Sequence, residues 1–440
     1  MKPNLDWSDY ESAGLGDAYA DIPKTGGNFA KAVSVCINSL VCLRPVTKSV
    51  MCPSFRVRQD AAYSPGGRSR LLKRLLNGEI TADEKQQLDD AMRACVGCKG
   101  CKRECESGLD LATIRSEYLS QPDNRGRYAL RDRLFANLPL LLRFPHLLRV
   151  CFTLRNRSPL IRRWMERYIG ISARVALPLP SAHQLTETPA VSNSREAIKS
   201  NTVVMLADSL SRGFSPQIFM AAQEVLARAG YDVRFIGAKG GAMEGRSWFS
   251  SGDLDKAREK ACRLLDDLTP YIDKQVPIIG LEPSSALMLR DEYQQLGLTD
   301  KAPGLAKQVY LFEEFVAREI SAGRFMLALS TPIGQKVVVH GHCHQKAVGA
   351  MKSVRKVLKL IPELEFEFID ASCCGGGGSF AYEKEHQQDS EKMFNLALQP
   401  ALAAEPEALV VANGFSCRSQ IQHYADRQTL HLAELLKLAL

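Results

Sequence analysis

The stretch that decides the reading is Cys95-Val96-Gly97-Cys98-Lys99-Gly100-Cys101-Lys102-Arg103-Glu104-Cys105. Its spacing is Cys-x2-Cys-x2-Cys-x3-Cys. That spacing folds three thiolates around three irons of one cubane, and Gly97 and Gly100 permit the tight turns. Where two such clusters share a chain, the fourth cysteine of the run serves the other cluster, and the first takes its last ligand from elsewhere. Cys52-Pro53 is the natural donor, because Cys-Pro is how the fourth position of such a run usually reads. The expected [4Fe–4S] ligands are therefore Cys52, Cys95, Cys98 and Cys101. Zinc rarely uses three cysteines at this spacing.

Working outward, Ser64-Pro65 reads as an N-cap and first helical residue, with Leu71, Leu72, Leu75 and Leu76 on one face and Gly78 as the stop. Thr81 and Glu84 form a capping-box pattern. The helix they begin aligns Leu88, Ala91, Met92 and Cys95 on one stripe, which carries the cysteine run into the interior. Further upstream, Cys36-x5-Cys42 has the outer positions of a second run, with Ser39 in the middle. With Cys105 it offers three thiolates. A [3Fe–4S] cluster, a [4Fe–4S] cluster with an unusual ligand, and no second cluster all remain open.

The chain has 440 residues, 13 of them Cys, and is 45% hydrophobic and 24% charged, a balance that supports two or three packed domains. Asp6, Asp9, Glu11, Asp17 and Asp21 crowd the start and no apolar h-region precedes Cys36, so no signal peptide is expected. No run of about 18 apolar residues suggests a membrane span. Without export, clustered cysteines read as metal ligands rather than disulfides, and a cytoplasmic location is expected. The net charge of +8 has a local source: between Arg125 and Arg167 eleven arginines face only Asp132 and Glu166. Leucines and Phe152 alternate with these arginines. The segment reads as amphipathic helices joining two domains, or as a docking face for an acidic partner or an anionic membrane surface near a quinone-linked acceptor. No module for nucleic acid accompanies the charge.

From residue 201 the texture changes. Val203-Val204-Met205-Leu206, Val233-Arg234-Phe235-Ile236, Pro277-Ile278-Ile279-Gly280, Val337-Val338-Val339 and Leu409-Val410-Val411 are short β-rich runs separated by helical stretches such as 216–229 and 253–268. This alternation predicts α/β units with a buried, largely parallel sheet. The half also repeats. Met243-Glu244-Gly245 follows Ser209 by 34 residues, and Cys373-Cys374-Gly375 follows Cys343 by 30. Ser285 then follows Glu244 by 41, and Cys417 follows Cys374 by 43. Only the second copy carries thiols. Its set is His340-Gly341-His342-Cys343-His344, then Cys373-Cys374 with four glycines, then Cys417. A metal or iron–sulfur site, a redox-active disulfide pair and plain packing cysteines are all compatible with it. The metal reading takes Cys343, Cys373, Cys374, Cys417, His342 and His344 as donors.

The stretch Cys36 to Cys105, with Met51-Cys52-Pro53-Ser54-Phe55 and Ser64-Pro65-Gly66-Gly67-Arg68, resembles the iron–sulfur half of FAD-linked D-2-hydroxyacid dehydrogenases, the large D-lactate and D-2-hydroxyglutarate dehydrogenases. The C-terminal set resembles the cysteine-rich CCG domain, shared with glycolate oxidase iron–sulfur subunits and with one component each of anaerobic glycerol-3-phosphate dehydrogenase and heterodisulfide reductase. Three positions depart from that pattern. Gly414 stands where such domains often have the first cysteine of a closing Cys-x2-Cys, Met243-Glu244-Gly245 stands for Cys-Cys-Gly, and Ser285 for a further cysteine. These departures argue against a complete noncubane cluster and leave zinc, iron or a smaller cluster. No G-x-G-x-x-G follows a strand, so the resemblance implies FAD on a partner subunit, or a chain that works alone.

The expected fold class is α + α/β: an N-terminal helical ferredoxin-like domain followed by a two-fold repeated α/β CCG domain. The expected divisions are a loose polar lead-in over 1–30, the helical cluster domain over 31–120, the Arg-rich connector and linker over 121–200, a first unit without cluster cysteines over 201–330, and a second with the Cys/His site over 331–440. The leading expectation is an electron-transfer subunit for a flavoprotein D-2-hydroxyacid dehydrogenase, cytoplasmic and peripheral to the inner face of the membrane. A heterodisulfide or thiol–disulfide reductase and a metal-stabilised redox sensor are the alternatives.

Overall fold

Helix caps written in the sequence set the first domain. In the computed structural model, which describes residues 2–14, 21–46, 49–124, 129–183, 185, 198–237, 243–298, 301–330 and 332–440, six helices precede residue 121: α1 Gly27–Ser34, α2 Pro53–Arg58, α3 Pro65–Asn77, α4 Ala82–Arg93, α5 Gly100–Glu104 and α6 Leu111–Ser120. The Ser64 hydroxyl accepts from Gly67 N and Gly78 closes α3 in the left-handed region. Thr81 and Glu84 complete the capping box of α4, which buries Leu88, Ala91 and Met92. Both helix starts follow from side-chain oxygens satisfying backbone N–H groups that a helix leaves unpaired.

The start of the chain is not loose where it is described. Leu5 and Trp7 enter the core, and the buried Glu117 carboxylate accepts from Asn4 N, Leu5 N and Trp7 Nε1. The acidic composition of this segment hid its two anchors.

Next come α7 Ala129–Ala136, α8 Leu138–Leu141, α9 Pro145–Arg157 and α10 Pro159–Tyr168. Arg125 and Arg127, and residues 184 and 186–197 of the expected connector and linker, lie outside the described residues.

Two four-stranded sheets follow, parallel throughout. The first has β1 Thr202–Leu206, β2 Asp232–Ile236, β3 Ile278–Gly280 and β4 Val309–Leu311 in the order β2-β1-β3-β4. The second has β5 Val337–Val339, β6 Phe366–Phe368, β7 Leu409–Val411 and β8 Thr429–Leu430 in the order β6-β5-β7-β8. The strand orders are the same, and in both the first strand lies centrally, buried on both faces as its apolar run requires. One apolar cluster contains side chains of both sheets, among them Met205 and Ile279 of the first and Val339 and Val411 of the second. The loops at the strands' carboxyl ends carry the candidate functional residues, where side chains from separate strands converge.

Candidate metal centres

Cys52, Cys95, Cys98 and Cys101 line one cavity, walled also by Met51, Pro65, Arg68, Lys99, Leu111 and Ala112. Helix α4 delivers Cys95. Gly97 and Lys99 take the left-handed conformation between the cysteines, which curls the run around the cavity. Cys52 is the N-cap of α2 and Pro53 its first residue. The two segments are tied: the Glu104 carboxylate accepts from Val50 N at 2.7 Å, Met51 N at 2.9 Å and Ser49 Oγ at 2.7 Å. A Cβ on Gly100 would lie 2.9 Å from Met51 N, so only glycine lets the backbones approach this closely.

This donor set fits a metal cluster on its chemistry. Burial pushes the Cys98 and Cys101 thiols well up, and the neighbouring sulfurs add to the rise. Thiolates in such a place need a bound cation to be tolerated.

A second cavity is lined by Cys36, Ser39, Cys42 and Cys105, and shares Met51 and Pro65 with the first. Cys105 thus faces this cavity and not the one lined by the rest of its run. A Cβ on Gly66 would stand 3.3 Å from Cys42 Sγ and 3.7 Å from Cys36 Sγ, so the glycine keeps the cradle open. Three thiols and one hydroxyl are the donors, and Ser39 lies on the exposed loop 37–40.

The third group lies at the carboxyl ends of β5, β6 and β7. Cys373, Cys374 and Cys417 are buried, with Cys343 beside Cys373 and Cys417 beside Cys374. Hydrogen bonds from Cys343 and Cys374, with Gly375 N behind them, hold the Cys373 thiol well below its usual range. The Lys346 ammonium faces all four sulfurs. His340 brings a ring nitrogen within 4.8 Å of the Cys374 and Cys417 sulfurs, and neither of its ring nitrogens has a hydrogen-bond partner among the described residues.

Each of the two expected histidine donors has one ring nitrogen in a hydrogen bond. His342 Nδ1 accepts from His344 N at the start of a helix, and its ring fills the space over Gly414, where a Cβ would lie 2.3 Å from His342 Cδ2. His344 Nε2 pairs with Gly97 O at 2.9 Å. The histidine whose ring nitrogen approaches these sulfurs is His340. Its place at the end of β5, where three strands converge, was the available signal.

The third group abuts the first. Gly377 lies on the cysteine run, where a Cβ would be 2.6 Å from Val96 O, and the His344–Gly97 contact lies beside it. In the first sheet the corresponding loops carry Asp208, Ser209, Glu244 and Ser285 without thiols. Glu244 accepts from Ser285 Oγ at 2.7 Å. Burial, then Glu244 and Glu282, pushes Asp208 up to about 8.

Thiol-lined cavities in a helical domain, followed by parallel sheets with a cysteine site, define an iron–sulfur protein of the electron-transfer class. Residues 32–109 match the 4Fe-4S dicluster domain and residues 337–422 the Cysteine-rich domain. Over 454 residues the chain is 23% identical to D-2-hydroxyglutarate dehydrogenase of Escherichia coli (strain K12), covering 91% of this chain and 43% of that protein. It is 23% identical over 407 residues to the glycolate oxidase iron-sulfur subunit of the same organism, covering 88% and 91%. It is 28% identical over 192 residues to one of the subunits of that organism's anaerobic glycerol-3-phosphate dehydrogenase, covering 43% and 48%. The chain spans less than half the length of the D-2-hydroxyglutarate dehydrogenase it resembles. No helix among the described residues is long and apolar enough to cross a membrane.

Proposed function

We propose that this chain is the electron-transfer component of an FAD-linked oxidoreductase that oxidises a D-2-hydroxyacid, with the flavin on a partner subunit. The observation that carries the reading is the convergence of Cys52, Cys95, Cys98 and Cys101 on one cavity. These residues would hold a [4Fe–4S] cluster, and Cys36, Cys42 and Cys105 a second cluster, with Ser39 at the open corner. When bound, such a cluster stores and releases single electrons. The chain's own part is to position, insulate and charge-balance the thiols. Glu104 pins the Cys52 segment, Met51 and Leu111 exclude water, and the Gly377 contact sets the third group against the first.

We assign Cys343, Cys373, Cys374 and Cys417, with His340, as donors to a third metal centre, and read the units 201–330 and 331–440 as two copies of one fold. The shared strand order supports the repeat. The acceptor side is a membrane surface bearing a quinone. Among the described residues, eleven of twenty exposed large hydrophobics lie in 130–168, including Phe144, Leu147, Leu160, Trp164 and Tyr168. Arg133, Arg143, Arg157, Arg163 and Arg167 are exposed among them. The two acids of the segment are already engaged, Asp132 with Arg93 and Arg131 and Glu166 with Ala173 N. An apolar face rimmed by positive charge suits an anionic lipid surface.

The test is anaerobic mixing of the iron-loaded chain with reduced FAD and then with a soluble quinone. Bleaching followed by recovery of the visible absorption is expected. An iron-loaded chain that exchanges electrons with neither reagent would overturn the proposal.

A further inference from the structure

Arg68 is fully buried. Its Nε donates to Ala91 O at 2.7 Å, one terminal nitrogen to Ser54 Oγ at 2.7 Å, and the other reaches Cys52 Sγ at 3.6 Å. No carboxylate is among these partners. A guanidinium keeps its charge in a protein, and a buried charge without a counter-charge is strongly unfavourable. The groups that face it are the sulfurs of Cys52, Cys95 and Cys101, which carry negative charge as thiolates when they ligate a metal.

Two other cations near this cavity face carboxylates. Lys99 pairs with Asp110 at 3.2 Å, Asp291 at 2.6 Å and Glu292 at 3.3 Å. Arg56 faces the Glu104 carboxylate. The second cavity has Arg70 in its wall, which is exposed and therefore screened by solvent. The helix start that carries Arg68 is built for close approach: a Cβ on Gly67 would lie 1.9 Å from Ala61 O.

We infer that Arg68 is the fixed counter-ion of the centre held by Cys52, Cys95, Cys98 and Cys101, and that its charge raises that centre's reduction potential above that of the centre at Cys36, Cys42 and Cys105. The inference rests on the ligand assignment proposed above. Reduction adds negative charge to thiolate-bound iron, and a buried cation beside it favours the reduced form. The group at Cys36, Cys42 and Cys105, beside the exposed loop 37–40, is then the electron entry, and the Arg68-facing group the sink, close to Cys373.

The experiment is an EPR-monitored anaerobic redox titration of the wild-type chain, Arg68→Met and Arg68→Lys. Arg68→Met is expected to lower the midpoint of the Cys52-type cubane by at least a tenfold change in the reduced-to-oxidised ratio, which is 59 mV for one electron. Arg68→Lys should stay near wild type, and the second centre should not move. A cubane in Arg68→Met with an unshifted midpoint overturns the inference and leaves Arg68 a packing residue. A wild-type chain without a cubane overturns the ligand assignment instead. If Arg68→Met takes up no cluster, Arg68→Gln replaces it, since it keeps a donor without the charge. If neither neutral variant loads, Arg68→Lys decides: cluster uptake with a near-native midpoint supports the counter-ion, and loss of uptake overturns it in favour of hydrogen-bond geometry alone.

Discussion

Removing the Glu104 carboxylate should make the main cluster labile without touching a ligand. Glu104 accepts from two backbone N–H groups and one hydroxyl of the segment that presents Cys52. Val50 and Met51 are buried, so Glu104→Ala leaves their N–H groups without a partner. Hydrogen bonds to a charged group are each worth roughly 1.5–3 kcal/mol, and three sharing one part-buried carboxylate are not additive, so a loss of about 3 kcal/mol is reasonable. Local opening of residues 49–52 would then be about a hundredfold more populated, since 1.4 kcal/mol is tenfold. Because Cys52 is exposed to solvent only in the open form, the rate of iron capture by a ferrous chelator should rise about as much. Glu104→Gln keeps one acceptor and should fall between. A release rate for Glu104→Ala within twofold of wild type would refute the reasoning, because it would mean that this carboxylate does not hold the Cys52 segment.

Three further outcomes follow from particular contacts. Gly377→Ala places a Cβ 2.6 Å from Val96 O, where ordinary contact starts at 3.4 Å; calorimetry should show a destabilisation of about 1–3 kcal/mol, and an unchanged melting temperature would count against the packing of the Gly-rich loop on the cysteine run. Asp208 holds a proton in the fold up to about pH 8 that the unfolded chain releases near 3.8, so stability should fall as pH rises through that window, by at most about 1.4 kcal/mol per unit. Asp208→Asn should flatten that slope in pH-dependent urea melts, and an identical slope in the variant would remove Asp208 as its source. Vesicles of phosphatidylglycerol should sediment the chain more than vesicles of phosphatidylcholine, with binding weakened by salt and by Trp164→Ala with Leu160→Ser; equal recovery with both lipids would argue against the Arg-rich face as a lipid contact.

Much of this architecture was legible in the residues, and the gaps have physical causes. The strands read as apolar runs include β1, β3, β5 and β7, the interior strands of the two sheets, where both faces are covered. β4, β6 and β8 were missed. All three are edge strands, half-exposed in whole or in part, so Phe366-Glu367-Phe368 and Thr429-Leu430 have no continuous apolar signature. The capping residues Ser64 and Thr81 were readable because a cap is a local event. Trp7, His340 and Arg68 were not, because their roles depend on partners far along the chain: Glu117, Cys374 with Cys417, and Cys52. For the histidines, spacing favoured the pair flanking Cys343, yet the helix beginning there uses His342 as a cap and turns His344 towards Gly97.

The central claim is that Cys52, Cys95, Cys98 and Cys101 together hold a [4Fe–4S] cluster. The most direct test is iron and acid-labile sulfide per chain, with EPR of the dithionite-reduced form, for anaerobically purified wild type and Cys98→Ser. A reduced cubane signal in wild type that disappears in Cys98→Ser, with a matching loss of iron and sulfide, is the predicted result. Zinc without sulfide in the wild type, or an unchanged cubane spectrum in Cys98→Ser, would contradict it.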